Sequence, residues 1–284
     1  MKISTYLNDG AETYGVVLDD GGIVDMGPRI GAKYATLKAV LEADALSEVA
    51  DAAAGQSADR RIDDVTLLPV ITDPGKIYCI GLNYRTHVEE GGRDIPEHPM
   101  IFMRYPEAQV GHNQALVRPK ASHIFDFEGE MALIIGKGGR HISAADSLNH
   151  IAGYSCFNDG SIRDFQRHTS QFGPGKNFFK SGAFGPWMIT PDECGAPDTH
   201  TLITRLNGEE MQRATTDDLL FNVPQLMAYC STFLPLNPGD VIVTGTTGGV
   251  GFYRDPQVFM KPDDVIEIEV TDIGILKNTI VDEA

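Results

Sequence analysis

Asp126-Phe127-Glu128-Gly129-Glu130-Met131-Ala132-Leu133-Ile134-Ile135 sets two acidic residues directly against an apolar run. The stretch reads as a strand that continues into the core, and strand side chains alternate faces with period two, so Glu128 and Glu130 point the same way. Two carboxylates side by side against a core repel one another and lose their hydration unless a cation sits between them. Gly129 takes a side chain off the opposite face and permits close packing there. Glu-x-Glu pairs also occur on solvated edge strands, and the pattern by itself leaves both readings open.

A third acid strengthens the first reading. Asp159 ends the apolar strand expected over Ile151 to Phe157 and precedes Gly160-Ser161-Ile162-Arg163-Asp164. Two acids from one strand and one from the end of another form a set of three oxygen donors with coordination positions left for a substrate. All-oxygen ligation favours Mg²⁺, Mn²⁺ or Ca²⁺ over Zn²⁺, because no Cys or His stands at zinc-like spacing. His87 and Glu90, three apart in a predicted helical turn, are neighbours. A carboxylate beside an imidazole fixes its tautomer and raises its basicity, as a general base requires. An ordinary surface helix has the same spacing. Gly81 and Gly91-Gly92 flank the segment and mark it as a movable cover.

Short strands are expected at Ile77 to Ile80, Met100 to Met103, Met131 to Ile135, Ile151 to Phe157, Trp187 to Thr190, Val241 to Thr244 and Val265 to Val270. Asn207-Gly208 is a two-residue hairpin turn. The best helix begins at Asn222, which caps it, with Gln225 completing a capping box and Pro224 in the first turn. Ahead of these, a hairpin at Asp20-Gly21-Gly22 and the helically spaced Leu37, Val40, Leu41, Leu46 and Val49 form a small α/β unit. Pro69 and Pro74 place the boundary near residue 72, giving an N-terminal domain of 1–72 and a β-rich main domain of 73–284.

The chain has 284 residues, 42% of them apolar, and a formal charge of −17. Such a chain can bury a large core but has no basic face for nucleic acid or anionic lipid. Small molecules and its own copies remain as partners. An anionic substrate needs positive charge inside the site. Cys79, Cys156, Cys194 and Cys230 form no Cys-x-x-Cys and read as reduced core residues. The first residues lack the apolar centre of a signal peptide, and no span reaches the roughly 18 apolar residues a membrane helix needs, so a cytoplasmic location is expected.

Gly-x-Asn-Tyr-x-x-His-x-x-Glu at 81–90, Glu-x-Glu at 128–130 and Asn158-Asp159-x-Ser161-x-Arg163-Asp164-x-Gln166 occur in that order. With Gly175-Lys176-Asn177-Phe178, Gly185-Pro186-Trp187, Pro238-Gly239-Asp240, Thr244-Gly245-Thr246 and Gly249-Val250-Gly251, the chain strongly resembles the fumarylacetoacetate hydrolase family over roughly residues 75–281. The resemblance implies an α+β, β-rich fold, a mixed β-sandwich roll with a central metal, assembled as a homodimer or larger. It implies Glu128, Glu130 and Asp159 as ligands of Mg²⁺ or Mn²⁺, His87 with Glu90 as the water-activating pair, and Lys176 as a charge beside the metal. Arg163, Gln166, Thr246 and Tyr84 are then expected at the substrate. Without the resemblance Lys176 reads as a surface residue, Arg163 as a salt-bridge partner and Thr246 as a turn residue. Phe179, Asn222 and Thr247-Gly248 depart from the commoner family pattern near the expected pocket.

The activity this implies is metal-dependent hydrolysis of a C–C bond in a small 2,4-diketo acid, an acylpyruvate or a 2,4-diketo-3-deoxy sugar acid, releasing pyruvate or a related acid. Such a cleavage expels a carbanion, and an enolate bound to a cation is its accessible form. The alternatives are a decarboxylase or isomerase of hydroxymuconate-type diacids, a ureidoglycolate lyase-like enzyme, or a metal- or ligand-binding protein without turnover.

Overall fold

Alternation along the strand Gly129–Ile135 sorts its side chains into two cores. Met131, Leu133 and Ile135 enter an apolar cluster between two sheets, whereas Ala132 and Ile134 enter a second cluster beneath the helices Leu37–Glu42 and Leu46–Ala53. Burial on both faces is why this strand reads as an unbroken apolar run instead of an alternating one.

The computed structural model describes residues 1–284. Its larger, twelve-stranded sheet runs in the order Arg60–Arg61, Gly22–Asp25, Ala11–Val17, Lys2–Asn8, Gly182–Ile189, Ile151–Asn158, Gly129–Ile135, Val241–Thr246, Ile77–Gly81, Met100–Arg104. Two short strands, Thr66–Leu67 and Gln109–Val110, pair with Lys2–Asn8 and Gly182–Ile189. The smaller sheet, Glu209–Thr215, Thr201–Leu206, Val265–Val270, Gly274–Asp282, Leu116–Arg118, packs across the first. Most pairs are antiparallel, but Val241–Thr246 runs parallel to Ile77–Gly81 and Gly274–Asp282 parallel to Leu116–Arg118, so the architecture is mixed, sheet-rich α+β. A side chain on Gly129 would strike Thr204 Oγ1 and Ile268 of the smaller sheet, which is the close approach read from its glycine.

The N-terminal strands do not form a sheet of their own. Lys2 and Ile3 pair with Ile189 and Met188, so residues ahead of 72 widen the sheet that carries the three acids, and their helices cover one of its faces. The strand expected at Trp187 to Thr190 runs instead over Gly182–Ile189. Gly185-Pro186 lies inside that strand. Pairing with Ile151–Asn158 shifts register there, between Tyr154 and Cys156, and a bulge tolerates a residue with no N–H. Asn222 caps Val223–Phe233 as expected: its N–H donates to Gln225 Oε1 at 2.9 Å and its Oδ1 accepts from the Gln225 N–H at 3.0 Å. The Asn207-Gly208 turn also forms, with positive φ at both residues. All four cysteines are buried and unpaired, and no helix is long and apolar enough to cross a membrane.

Candidate metal centre and active site

Strand pairing brings the acids together. Gly129 lies opposite Asn158 in the antiparallel pair, and the Asp159 N–H donates to the Glu128 carbonyl at 2.8 Å, fastening the start of one strand to the end of its neighbour. One carboxylate oxygen from each of Glu128, Glu130 and Asp159 lies within 4.8 Å of the other two, and all three residues are buried.

Three buried cations surround them. Lys176, at the end of the short helix Gly173–Lys176, donates to Glu128 Oε2 at 2.6 Å and to Asp159 Oδ2 at 2.7 Å. Arg163 donates through Nη1 to Glu128 Oε1 at 2.5 Å and through Nε to Asp126 Oδ2 at 2.8 Å. Arg104 donates through Nη1 to Asp159 Oδ1 at 2.5 Å and to the Gly160 carbonyl at 2.9 Å, and through Nη2 to Ser181 Oγ at 3.0 Å. Asp126 further accepts the N–H groups of Gly251 and Phe252. Glu130 is the exception, receiving only the Gly245 N–H at 2.6 Å.

This inequality divides the two glutamates. Burial disfavours the charged form of Glu128, but the fields of Lys176, Arg163 and His87 together outweigh it and hold the carboxyl below the usual range. Burial and the charges of Asp159 and Glu128 push Glu130 well above that range. Were all four buried carboxylates ionised, the three cations would leave one negative charge over, on the glutamate without a cation of its own, and it is this glutamate whose neutral form its surroundings favour. A hard dication fits this donor set. Glu128, Glu130 and Asp159 each bring one oxygen within 4.8 Å of the other two, so together they would hold such an ion, and it would supply the positive charge that Glu130 lacks.

His87, on the helix Arg85–Glu90, faces the same cavity of ≈ 50 Å³ as the three acids. Its Nδ1 lies 2.7 Å from Glu90 Oε1. An ionised carboxylate only accepts, so Nδ1 carries the proton and Nε2 is left to take one. Glu90 Oε2 accepts the Gly249 N–H at 2.7 Å, Thr86 Oγ1 lies 3.1 Å from Thr247 Oγ1, and Asn83 Nδ2 donates to the Thr244 carbonyl at 2.7 Å. The segment marked in the sequence as a movable cover is thereby fastened to the strand Val241–Thr246 and the loop after it.

The sequence profile of the fumarylacetoacetate (FAA) hydrolase C-terminal domain matches residues 76–281. The chain belongs to the fumarylacetoacetate hydrolase family. Among its relatives, the mitochondrial oxaloacetate tautomerase of Rattus norvegicus is 36% identical over 264 residues, covering 92% of this chain and 84% of that one. The fumarylacetoacetate hydrolase structure from the psychrophile Exiguobacterium antarcticum superposes over 100% of both chains with a TM-score of 0.83 at 31% identity. Maleylpyruvate hydrolase from Sphingobium sp. SYK-6, solved with manganese(II) and pyruvate, matches over 100% of both chains with a TM-score of 0.83 at 25% identity. Hydrolase and tautomerase names thus both occur around this fumarylacetoacetate hydrolase family enzyme.

Of the residues singled out in the sequence of this family member, His87, Glu128, Glu130, Asp159, Arg163, Gln166, Lys176 and Thr246 line one cavity. Glu90 stands behind His87. Tyr84 does not line the cavity; it is fully buried, and its backbone bridges to Leu219. Arg163 is held by Asp126, Glu128 and Gln166, so its guanidinium orients a carboxylate of the centre. Thr246 Oγ1 donates to the Gly129 carbonyl at 2.9 Å and accepts from Gln212 Nε2 at 2.8 Å. The departures at Phe179, Asn222 and Thr247-Gly248 lie outside the lining: Phe179 is 64% exposed, Asn222 is the helix cap, and Thr247 meets Thr86. Sequence reasoning missed Arg104 and Asp126. The signal available for Arg104 was a cation terminating an otherwise apolar strand.

Gly175 sets the position of Lys176. A side chain there would run into the backbone of Gln166, so the two short helices bearing Arg163 and Lys176 touch through this glycine. Gly175→Ala is expected to destabilise the fold by about 1–3 kcal/mol through overpacking. Denaturant midpoints at unchanged m-value measure it.

Proposed function

We propose that this enzyme moves a proton on the carbon beside the keto group of a small 2-oxo acid, interconverting enol and keto forms. The observation that carries the reading is the presence, in one small cavity, of an imidazole oriented by a carboxylate and a three-carboxylate centre suited to a hard dication. A dication held by Glu128, Glu130 and Asp159 would supply Lewis acidity toward the keto oxygen. His87 Nε2 takes the enol hydroxyl proton, Glu90 stabilises the imidazolium that results, and the proton returns to the carbon. Lys176 places a positive charge beside the oxygen on which negative charge develops. No second reactant is consumed, and no fragment of the substrate has to leave before the proton is returned. The name of the 36% identical relative, an oxaloacetate tautomerase, supports the same chemistry.

Hydrolysis of a 2,4-diketo acid is the second reading, favoured by the maleylpyruvate hydrolase that shares the fold along its whole length. In that case His87 deprotonates a water that attacks the 4-keto carbon. The two are separated by product. With Mg²⁺ or Mn²⁺ present, ultraviolet decay of enol-oxaloacetate is expected to accelerate over the spontaneous rate, while proton NMR detects no pyruvate from acylpyruvates. Pyruvate release without accelerated ketonisation would replace the first reading with the second.

A further inference from the structure

We infer that Arg93 and Arg167, at the mouth of the cavity, recognise a second carboxylate at the far end of the substrate, making a dicarboxylate the preferred ligand. The inference rests on the 2-oxo acid reading above and names its substrate class. Three of the five basic side chains of the cavity wall have assigned tasks inside: Lys176 and Arg163 hold acids of the centre, and His87 is held by Glu90. Arg93 and Arg167 remain.

Both are exposed, both line the cavity, and neither has an acidic oxygen within the 4.0 Å that defines an ion pair. The wall contains no acid besides Glu128, Glu130 and Asp159. In a chain of 40 acidic and 23 basic residues, two unpaired guanidinium groups beside one opening form a local positive rim on a repulsive surface. They enter from separate elements. Arg93 follows the glycine pair after the His87 helix, and Arg167 ends the short helix Arg163–Gln166. The Arg167 guanidinium carbon lies 4.8 Å from the centroid of the Phe252 ring, which steadies the group while leaving its N–H donors free. The inner acids fix the end of the ligand that meets the cation, so charge at the opposite end falls at this rim. Guanidinium forks match a carboxylate geometrically as well as in charge.

The test compares 2-oxoglutarate with 2-oxovalerate, equal in length and differing in the distal carboxylate, by calorimetric binding to the Mg²⁺-loaded protein. Wild type is expected to bind the diacid about tenfold or more tightly, with the difference shrinking as salt rises. In Arg93→Gln/Arg167→Gln the preference should vanish while 2-oxovalerate binds as before. Equal affinities in wild type, a preference that survives the double substitution, or parallel loss of both ligands would each overturn the assignment. Because binding is read without turnover, this outcome is independent of whether enol-oxaloacetate proves to be a substrate.

Discussion

His87→Ala is expected to fold, to take up Mg²⁺ with nearly unchanged affinity, and to lose about 10²–10⁴-fold in kcat, the usual contribution of a positioned proton carrier. The imidazole is not among the three oxygen donors of the centre, so its removal leaves the cation site chemically complete. It does orphan Glu90, which keeps the Gly249 N–H and lies near enough to the surface to be hydrated. The loss therefore belongs to proton transfer, and Glu90→Gln separates the two partners. That substitution preserves shape but accepts poorly from Nδ1–H and cannot stabilise the imidazolium, so kcat should fall while KM changes little. Kinetics at saturating Mg²⁺, alongside thermal unfolding and calorimetric Mg²⁺ titration, check each part. Activity within a few-fold of wild type in His87→Ala would move the proton carrier elsewhere.

The acidic centre was legible because its signal is local. Glu128 and Glu130 share a face by period two, and the apolar run after them points to a core, although the pair alone also fits a solvated edge strand and only the structure shows the face buried. What completes the centre is not local. Arg104 reaches Asp159 across 55 positions and Arg163 reaches Asp126 across 37, and no pattern in one chain states which distant cation meets which acid. The same holds for the main sheet, whose junction with the N-terminal strands joins Lys2 to Ile189. Turn chemistry was read correctly at Asn207-Gly208 and Asn222, where the residues satisfy their own backbone. The start of the strand Gly182–Ile189, expected only from Trp187, was not legible, because Gly185-Pro186 sits inside it at a bulge. Tyr84 shows the limit of carrying a motif over residue by residue: adjacency to Asn83 and His87 in sequence does not turn its ring toward the cavity.

Glu130→Gln should have opposite effects on the two forms of the protein. In the metal-free form Glu130 is a buried carboxyl crowded by Asp159 and Glu128, and its folded pKa lies above its unfolded one. The stability it contributes is therefore full below its unfolded value of about 4.3 and is lost as pH rises through the raised folded value. Glutamine keeps the shape, can still accept the Gly245 N–H, and offers an amide donor to the neighbouring acids. Metal-free Glu130→Gln should then unfold at a higher temperature than metal-free wild type near neutral pH, with the advantage disappearing toward pH about 4. Glu128 behaves in the reverse sense, stabilising above its unfolded value and less so as pH falls, and it is common to both proteins. Added Mn²⁺ or Mg²⁺ should invert the order. Wild type gains about 2.7 kcal/mol at a hundredfold excess over Kd, roughly 4–5 °C for a chain of this size, whereas the variant lacks one anionic ligand and gains little. Thermal scans across pH with and without the cation read both signs. A wild type whose unfolding temperature ignores both cations, or a variant that responds equally well, would remove the dication from this cluster and leave Glu130 as a carboxyl kept neutral by its surroundings.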